Sequence, residues 1–168
     1  MNFNSSNSNI TNTMRLEEKV FKKFIQRQET LAIAESCTGG LIGDRLTNIA
    51  GASAFFLLGI IAYDYAAKTK ILEVPSALLK KHGAVSAPVA KVMAQGVRKI
   101  LKTDYGLSVT GIAGPAGATK TKPVGLVFIA LSNGTKTIVK KCLFRGTRLA
   151  IKKEAAQTAL KMLLTCDY

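Results

Sequence analysis

The stretch LAIAESCTGG, from Leu31 to Gly40, decides how the rest of the chain is read. Four apolar residues open it and two glycines close it. Between them lie four small polar groups, Glu35, Ser36, Cys37 and Thr38. A short apolar run bounded by Gly is the pattern of a buried strand. Gly39-Gly40 followed by LIGDRLTNI predicts a tight turn into a helix. Such a strand leaves its last side chains at the carboxyl edge of a sheet, where open α/β sheets bind ligands. Free N–H groups at the helix start would attract an anion or a developing oxyanion. Ser36 is therefore the candidate nucleophile. By itself a Ser before two glycines is also a common turn residue or helix cap, and the spacing is not that of the G-x-S-x-G elbow.

The chain on either side of this stretch predicts alternating elements. The first 13 residues, MNFNSSNSNITNT, are polar with little to bury and are expected to form a disordered tail. Residues 14–168 are expected to form a single domain. LEEKVFKKFIQRQ, 16–28, sets Leu16, Val20, Phe21, Phe24 and Ile25 on one helical face. Its early Glu17 and Glu18 suit the helix dipole. Ala54 to Tyr63 is an apolar run expected to be a long, central strand. A short helical stretch carrying Lys68 follows, then a helix from Pro75 to Gly83. Ser86-Ala87-Pro88 is the start of a long helix, with Ser86 as its N-cap. A short strand, 106–109, leads to a second Gly-rich stretch, TGIAGPAG at 110–117. LVFIALS and the strand 137–144 flank Asn133-Gly134, a strong hairpin signal. Gly146-Thr147-Arg148 opens the last helix. The alternation predicts an α/β fold, a single-domain layered α/β with a mixed, mostly parallel sheet.

Composition narrows the class of function. The 168 residues are 48% hydrophobic and 20% charged, the balance of a folded domain with a substantial core. Lys and Arg number 24 against 10 Asp and Glu, a formal charge of +14. That excess favours anionic partners, although the lysines occur as scattered pairs rather than one run. The three cysteines, Cys37, Cys142 and Cys166, are widely spaced and form no C-x-x-C, which fits a reducing cytoplasm better than a disulfide framework or zinc site. His82 is the only histidine, so a metal site would need carboxylates, and its place before Gly83 suits a helix end. The apolar run 54–62 is too short to span a bilayer, and no secretion signal is expected.

Six motifs in order complete the reading: AESCTGG at 34–40, YDYAAK at 63–68, GAVS at 83–86, TGIAGPAG at 110–117, KPVG at 122–125 and GTR at 146–148. Together they resemble the CinA C-terminal domain family, whose stand-alone members include nicotinamide mononucleotide deamidases. The resemblance covers about residues 16–165. It implies hydrolysis of the carboxamide of nicotinamide mononucleotide to nicotinate mononucleotide and ammonia, by a Ser/Lys mechanism without metal or cofactor. It places the nucleophile on Ser36, the base on Lys68 and a hydroxyl neighbour on Tyr63. Glu35, Cys37, Thr38, Gly39 and Gly40 are expected around the substrate. So are Thr110, Gly111, Gly114, Gly117 and Arg148, with the glycines and Arg148 beside the phosphate. The chain departs from the family pattern at Ala50, Leu58, Tyr65, Ala116 and Thr147. A homo-oligomer, in the simplest case a dimer, is expected; membrane and nucleic-acid partners are not.

The chemistry sets its own condition. A serine hydroxyl is a poor nucleophile until a base takes its proton. An exposed lysine is about 99.9% protonated near neutral pH. Lys68 can serve only if burial or nearby positive charge lowers its pKa. Cys37 is the rival nucleophile. Two other classes of function stand beside the enzyme: a catalytically silent binding or regulatory domain, and a nucleic-acid binder suggested by charge alone.

Overall fold

The computed structural model describes residues 14–165. The expected tail at 1–13, and Cys166 with the end of the expected domain, lie outside the described residues. Six helices and five strands follow in chain order: α1 (Leu16–Arg27), β1 (Leu31–Glu35), α2 (Leu41–Thr47), β2 (Phe56–Ile61), α3 (Tyr65–Leu72), α4 (Ser76–His82), α5 (Ala87–Leu101), β3 (Tyr105–Gly111), β4 (Leu126–Ser132), β5 (Thr137–Leu143) and α6 (Arg148–Thr165). The strands form one sheet in the order β2-β1-β3-β4-β5. β2, β1 and β3 are parallel neighbours, while β4 is antiparallel to both β3 and β5. Four of the five strands thus run the same way and only β4 is reversed.

The pleat of β1 explains the layering. Alternate side chains of a strand point to opposite faces. Leu31 and Ile33 pack into one core with Phe24 of α1, Ile42 of α2 and Leu160 of α6. Ala32 and Ala34 face the other, with Leu72 of α3, Leu79 of α4 and Met93 of α5. Burying each large side chain contributes roughly 1.5–3 kcal/mol. The second face is lined by small residues because α5 lies so close. A Cβ on Gly96 would come within 2.2 Å of the Leu72 carbonyl oxygen. One on Gly106 would come within 2.1 Å of that of Ala94.

Two expectations change. The run 54–63 is not a central strand. Ala52–Ala54 form a 3-10 turn, β2 begins at Phe56, and it lies at the edge of the sheet. Its burial alternates, leaving Leu57 43% and Ile61 56% exposed. The apolar run misled because buried Phe55 belongs to the core beneath the turn rather than to the strand. The expected hairpin is present and turns through a four-residue loop, 133–136. The Asn133 carboxamide oxygen accepts from the Thr135 and Lys136 amides at 3.1 and 2.8 Å, which closes the loop. Ser86 does stand at the N-cap of α5, but its hydroxyl donates back to the Gly83 carbonyl at 2.9 Å and caps no helix amide.

The connections matter most for the site. α2 packs against the α1 and α6 side of the sheet, and α3 against the α5 side. The adjacent parallel strands β1 and β2 therefore send their chains to opposite faces, which opens a crevice at their carboxyl ends.

Candidate active site

Ser36 is the first residue beyond β1. Its amide continues the ladder by donating to the Val109 carbonyl at 3.0 Å, which ties it to the end of β3. Lys68 comes from α3. Asp64 caps that helix by accepting the Ala66 amide at 2.7 Å, a cap readable from an Asp ahead of a helical stretch. One turn on, the Lys68 side chain folds back beneath the sheet edge and is 1% exposed. Its Nζ lies 3.1 Å from Ser36 Oγ, 2.7 Å from the Ala62 carbonyl oxygen and 3.1 Å from that of Tyr63.

Nζ donates to Ser36 Oγ and to both carbonyls. Once the amine is neutral, two N–H groups can stay with the carbonyls and the lone pair can face the Ser36 hydroxyl. Burial pushes the Lys68 amine below the ordinary lysine value, while the Asp64 carboxylate pulls it part of the way back. Cys37 has the opposite fate. Burial pushes its thiol up to about 12, so at neutral pH it carries its proton and is a poor rival to Ser36.

The turn after Ser36 corrects an expectation. The amides at the start of α2 are not free for a ligand. The buried Glu35 carboxylate accepts from Gly40 at 3.0 Å, Ile42 at 3.1 Å and Gly43 at 2.9 Å. The Gly39 amide donates to the Ser36 carbonyl at 3.1 Å. The Cys37 amide, next in sequence to the nucleophile, is not among the donors to Glu35. Glu35, Thr38, Gly39 and Gly40, expected around the substrate, do not line the cleft over Ser36.

That cleft has a volume of about 260 Å³. Ser36, Cys37, Tyr63, Lys68, Thr110, Gly111, Gly114, Gly117 and Arg148 all line it, so most of the expected set comes together. Thr110 donates to the Ala84 carbonyl at 3.0 Å, which fixes the loop between α4 and α5 as one wall. Arg148, at the first residue of α6, donates to the Gly114 carbonyl at 2.8 Å and to the Tyr63 hydroxyl at 3.0 Å. Tyr63 was expected to place its hydroxyl beside Lys68. It offers Lys68 its carbonyl instead, and its hydroxyl holds Arg148. Two of the glycines also have packing reasons of their own. Gly111 is required by strand packing, since a Cβ there would lie 2.8 Å from the Leu126 carbonyl oxygen. Gly114 turns with φ 78°, where Val124 leaves no room for a side chain.

Tyr65 was missed as a wall residue. It lines the cleft and its hydroxyl accepts the Ala84 amide at 3.2 Å. Its spacing from Lys68, three residues along one helix, was the available signal. Among the described residues no helix is long and apolar enough to cross a membrane.

Comparisons with known proteins agree with one another. The family model described as CinA C-terminal domain matches residues 13–166. A CinA-like protein of Syntrophus aciditrophicus (strain SB) is 52% identical over 149 residues, covering 88% of this chain and 36% of that protein. A CinA-like protein of Geobacter sulfurreducens is 48% identical over 148 residues, with the same coverage of 88% and 36%. The chain thus spans about a third of the length of these curated relatives. The crystal structure of the competence damage-inducible protein A (ComA) from Klebsiella pneumoniae superposes with a TM-score of 0.86 at 32% identity, covering 89% of this chain and 92% of that one. The competence/damage inducible protein CihA from Agrobacterium tumefaciens superposes with a TM-score of 0.85 at 36% identity, covering 89% and 93%.

Proposed function

The chain belongs to the CinA C-terminal domain family, and from that premise we propose that it is an amidohydrolase releasing ammonia from nicotinamide mononucleotide through an acyl-Ser36 intermediate. The observation that carries the reading is the buried Lys68 amine 3.1 Å from the Ser36 hydroxyl, with its two remaining donors taken by carbonyls.

In the proposed sequence Lys68 Nζ takes the Ser36 proton as Oγ bonds to the carboxamide carbon. The carbonyl oxygen becomes an oxyanion beside the Cys37 amide. The Lys68 ammonium then gives its proton to the departing nitrogen, which leaves as ammonia. Water enters, Lys68 takes one of its protons as the oxygen bonds to the acyl carbon, and Lys68 returns that proton to Ser36 Oγ as the acyl–oxygen bond breaks. Nicotinate mononucleotide is the product. Lys68 serves as base and acid in turn, the double use that general acid–base catalysis allows.

Arg148 supports an anionic substrate. Its guanidinium is held at the cleft by neutral groups, Gly114 O and Tyr63 OH, and bonds no carboxylate among the described residues. A phosphate could replace either partner with a stronger, charge-assisted pair. Arg148→Ala should raise KM for the mononucleotide about tenfold or more and change kcat less, as loss of uniform binding requires. Steady-state ammonia release by the wild-type protein tests the function itself. Binding of the mononucleotide without turnover would favour the silent binding domain.

A further inference from the structure

A second groove adjoins the catalytic cleft, with Val85 as their shared wall. Its volume is about 350 Å³, larger than the cleft. Leu126 and Phe128 give it an apolar floor, and His82, Lys122 and Lys141 stand around it. Among the described residues no carboxylate lines it. The position of Lys141 is set by the hairpin. In the β4–β5 register Lys141 lies directly opposite Phe128, so their side chains share a face and Lys140 points to the other. Lys122 is anchored by donating to the His82 carbonyl at the end of α4. Lys141 has no hydrogen-bond or ion-pair partner among the described residues. Two ammonium groups over an apolar floor, uncompensated by any acid, suit a ligand that is flat and apolar at one end and doubly anionic at the other.

We infer that this groove binds a nucleoside diphosphate moiety, so that the two cavities together accommodate a nicotinamide dinucleotide across the Val85 ridge. The dinucleotide part rests on the amidohydrolase reading; the nucleoside diphosphate part does not. The catalytic cleft takes the amide-bearing nucleotide, with its own phosphate of the bridge at Arg148, and the adjoining groove takes the other nucleoside with the second phosphate. One surface thus separates a mononucleotide, which fills the first cavity, from a dinucleotide, which fills both.

The test is calorimetric binding of adenosine 5′-diphosphate to the full chain. Wild type should bind it, with affinity falling as salt rises. Lys141→Glu should weaken it roughly tenfold and Lys141→Met by less, in the order expected for a charge facing phosphate. The diphosphate should not displace nicotinamide mononucleotide, whereas nicotinamide adenine dinucleotide should displace both. Hydrolysis of the mononucleotide by Lys141→Glu should match wild type. Equal diphosphate affinity in wild type and Lys141→Glu, or no binding at millimolar concentration, overturns the inference. So does an affinity lost in Arg148→Ala and kept in Lys141→Glu, which would put the nucleotide in the catalytic cleft. Diphosphate binding as expected in a protein that releases no ammonia would reject the amidohydrolase reading and leave the groove in place.

Discussion

Replacing Ser36 by alanine should cut ammonia release from nicotinamide mononucleotide by about 10⁴-fold or more, and Lys68→Met should cut it by about 10²–10⁴-fold. The two groups act as one unit, so the double variant should be no slower than Ser36→Ala alone. Steady-state assays of the three variants check this. Neither loss would stem from unfolding. Ser36→Ala removes one oxygen from a loop whose backbone is fixed by other bonds. Lys68→Met keeps the apolar stem and removes a buried amine. The sign of its stability effect follows from linkage. The folded pKa of Lys68 is lowered, so between that value and the ordinary lysine range the unfolded chain binds more protons. Wild-type stability therefore rises with pH through this window. Lys68→Met lacks the dependence, and its stability relative to wild type should be greatest below the window and smallest above it.

Glu35→Ala should have the largest effect of any change that touches no reacting atom. Its carboxylate accepts from three amides at the start of α2 and is 3% exposed. Truncation leaves those donors unpaired in a buried place, at a cost of roughly 3 kcal/mol or more. It also frees the turn that begins with Ser36, so kcat should fall more than tenfold while KM changes less. Glu35→Gln retains one accepting oxygen and should recover part of both losses. Thermal unfolding and steady-state kinetics on the two variants separate the effects. A Glu35→Ala protein of wild-type stability and rate would show that the turn holds itself.

Much of the candidate site was legible in the sequence because it sits where periodic elements stop. The end of β1 gives Ser36, the end of β3 gives Thr110, and the start of α6 gives Arg148. The meeting of Ser36 with Lys68 was not legible from spacing. It depends on β2 pairing with β1 and on α3 returning beneath them, and only the family resemblance supplied it. Glu35 was legible as a polar residue at a strand end. Its true partner was hidden because a ligand anion and a side-chain carboxylate satisfy the same helix amides. Tyr63 changed role and Tyr65 was missed for a related reason: which hydroxyl meets Arg148 and which meets Ala84 depends on loop geometry. The edge position of β2 was lost because continuous apolar character records total burial, not the number of neighbouring strands.

The most direct measurement is a titration of the Lys68 side chain by NMR, assigned by its disappearance in Lys68→Met, alongside the pH dependence of kcat/KM. The account predicts a midpoint below the ordinary lysine value of about 10.4, and a rate that rises with pH along the same curve as the amine loses its proton. A midpoint at the ordinary lysine value, or a rate that ignores the titration, would contradict it.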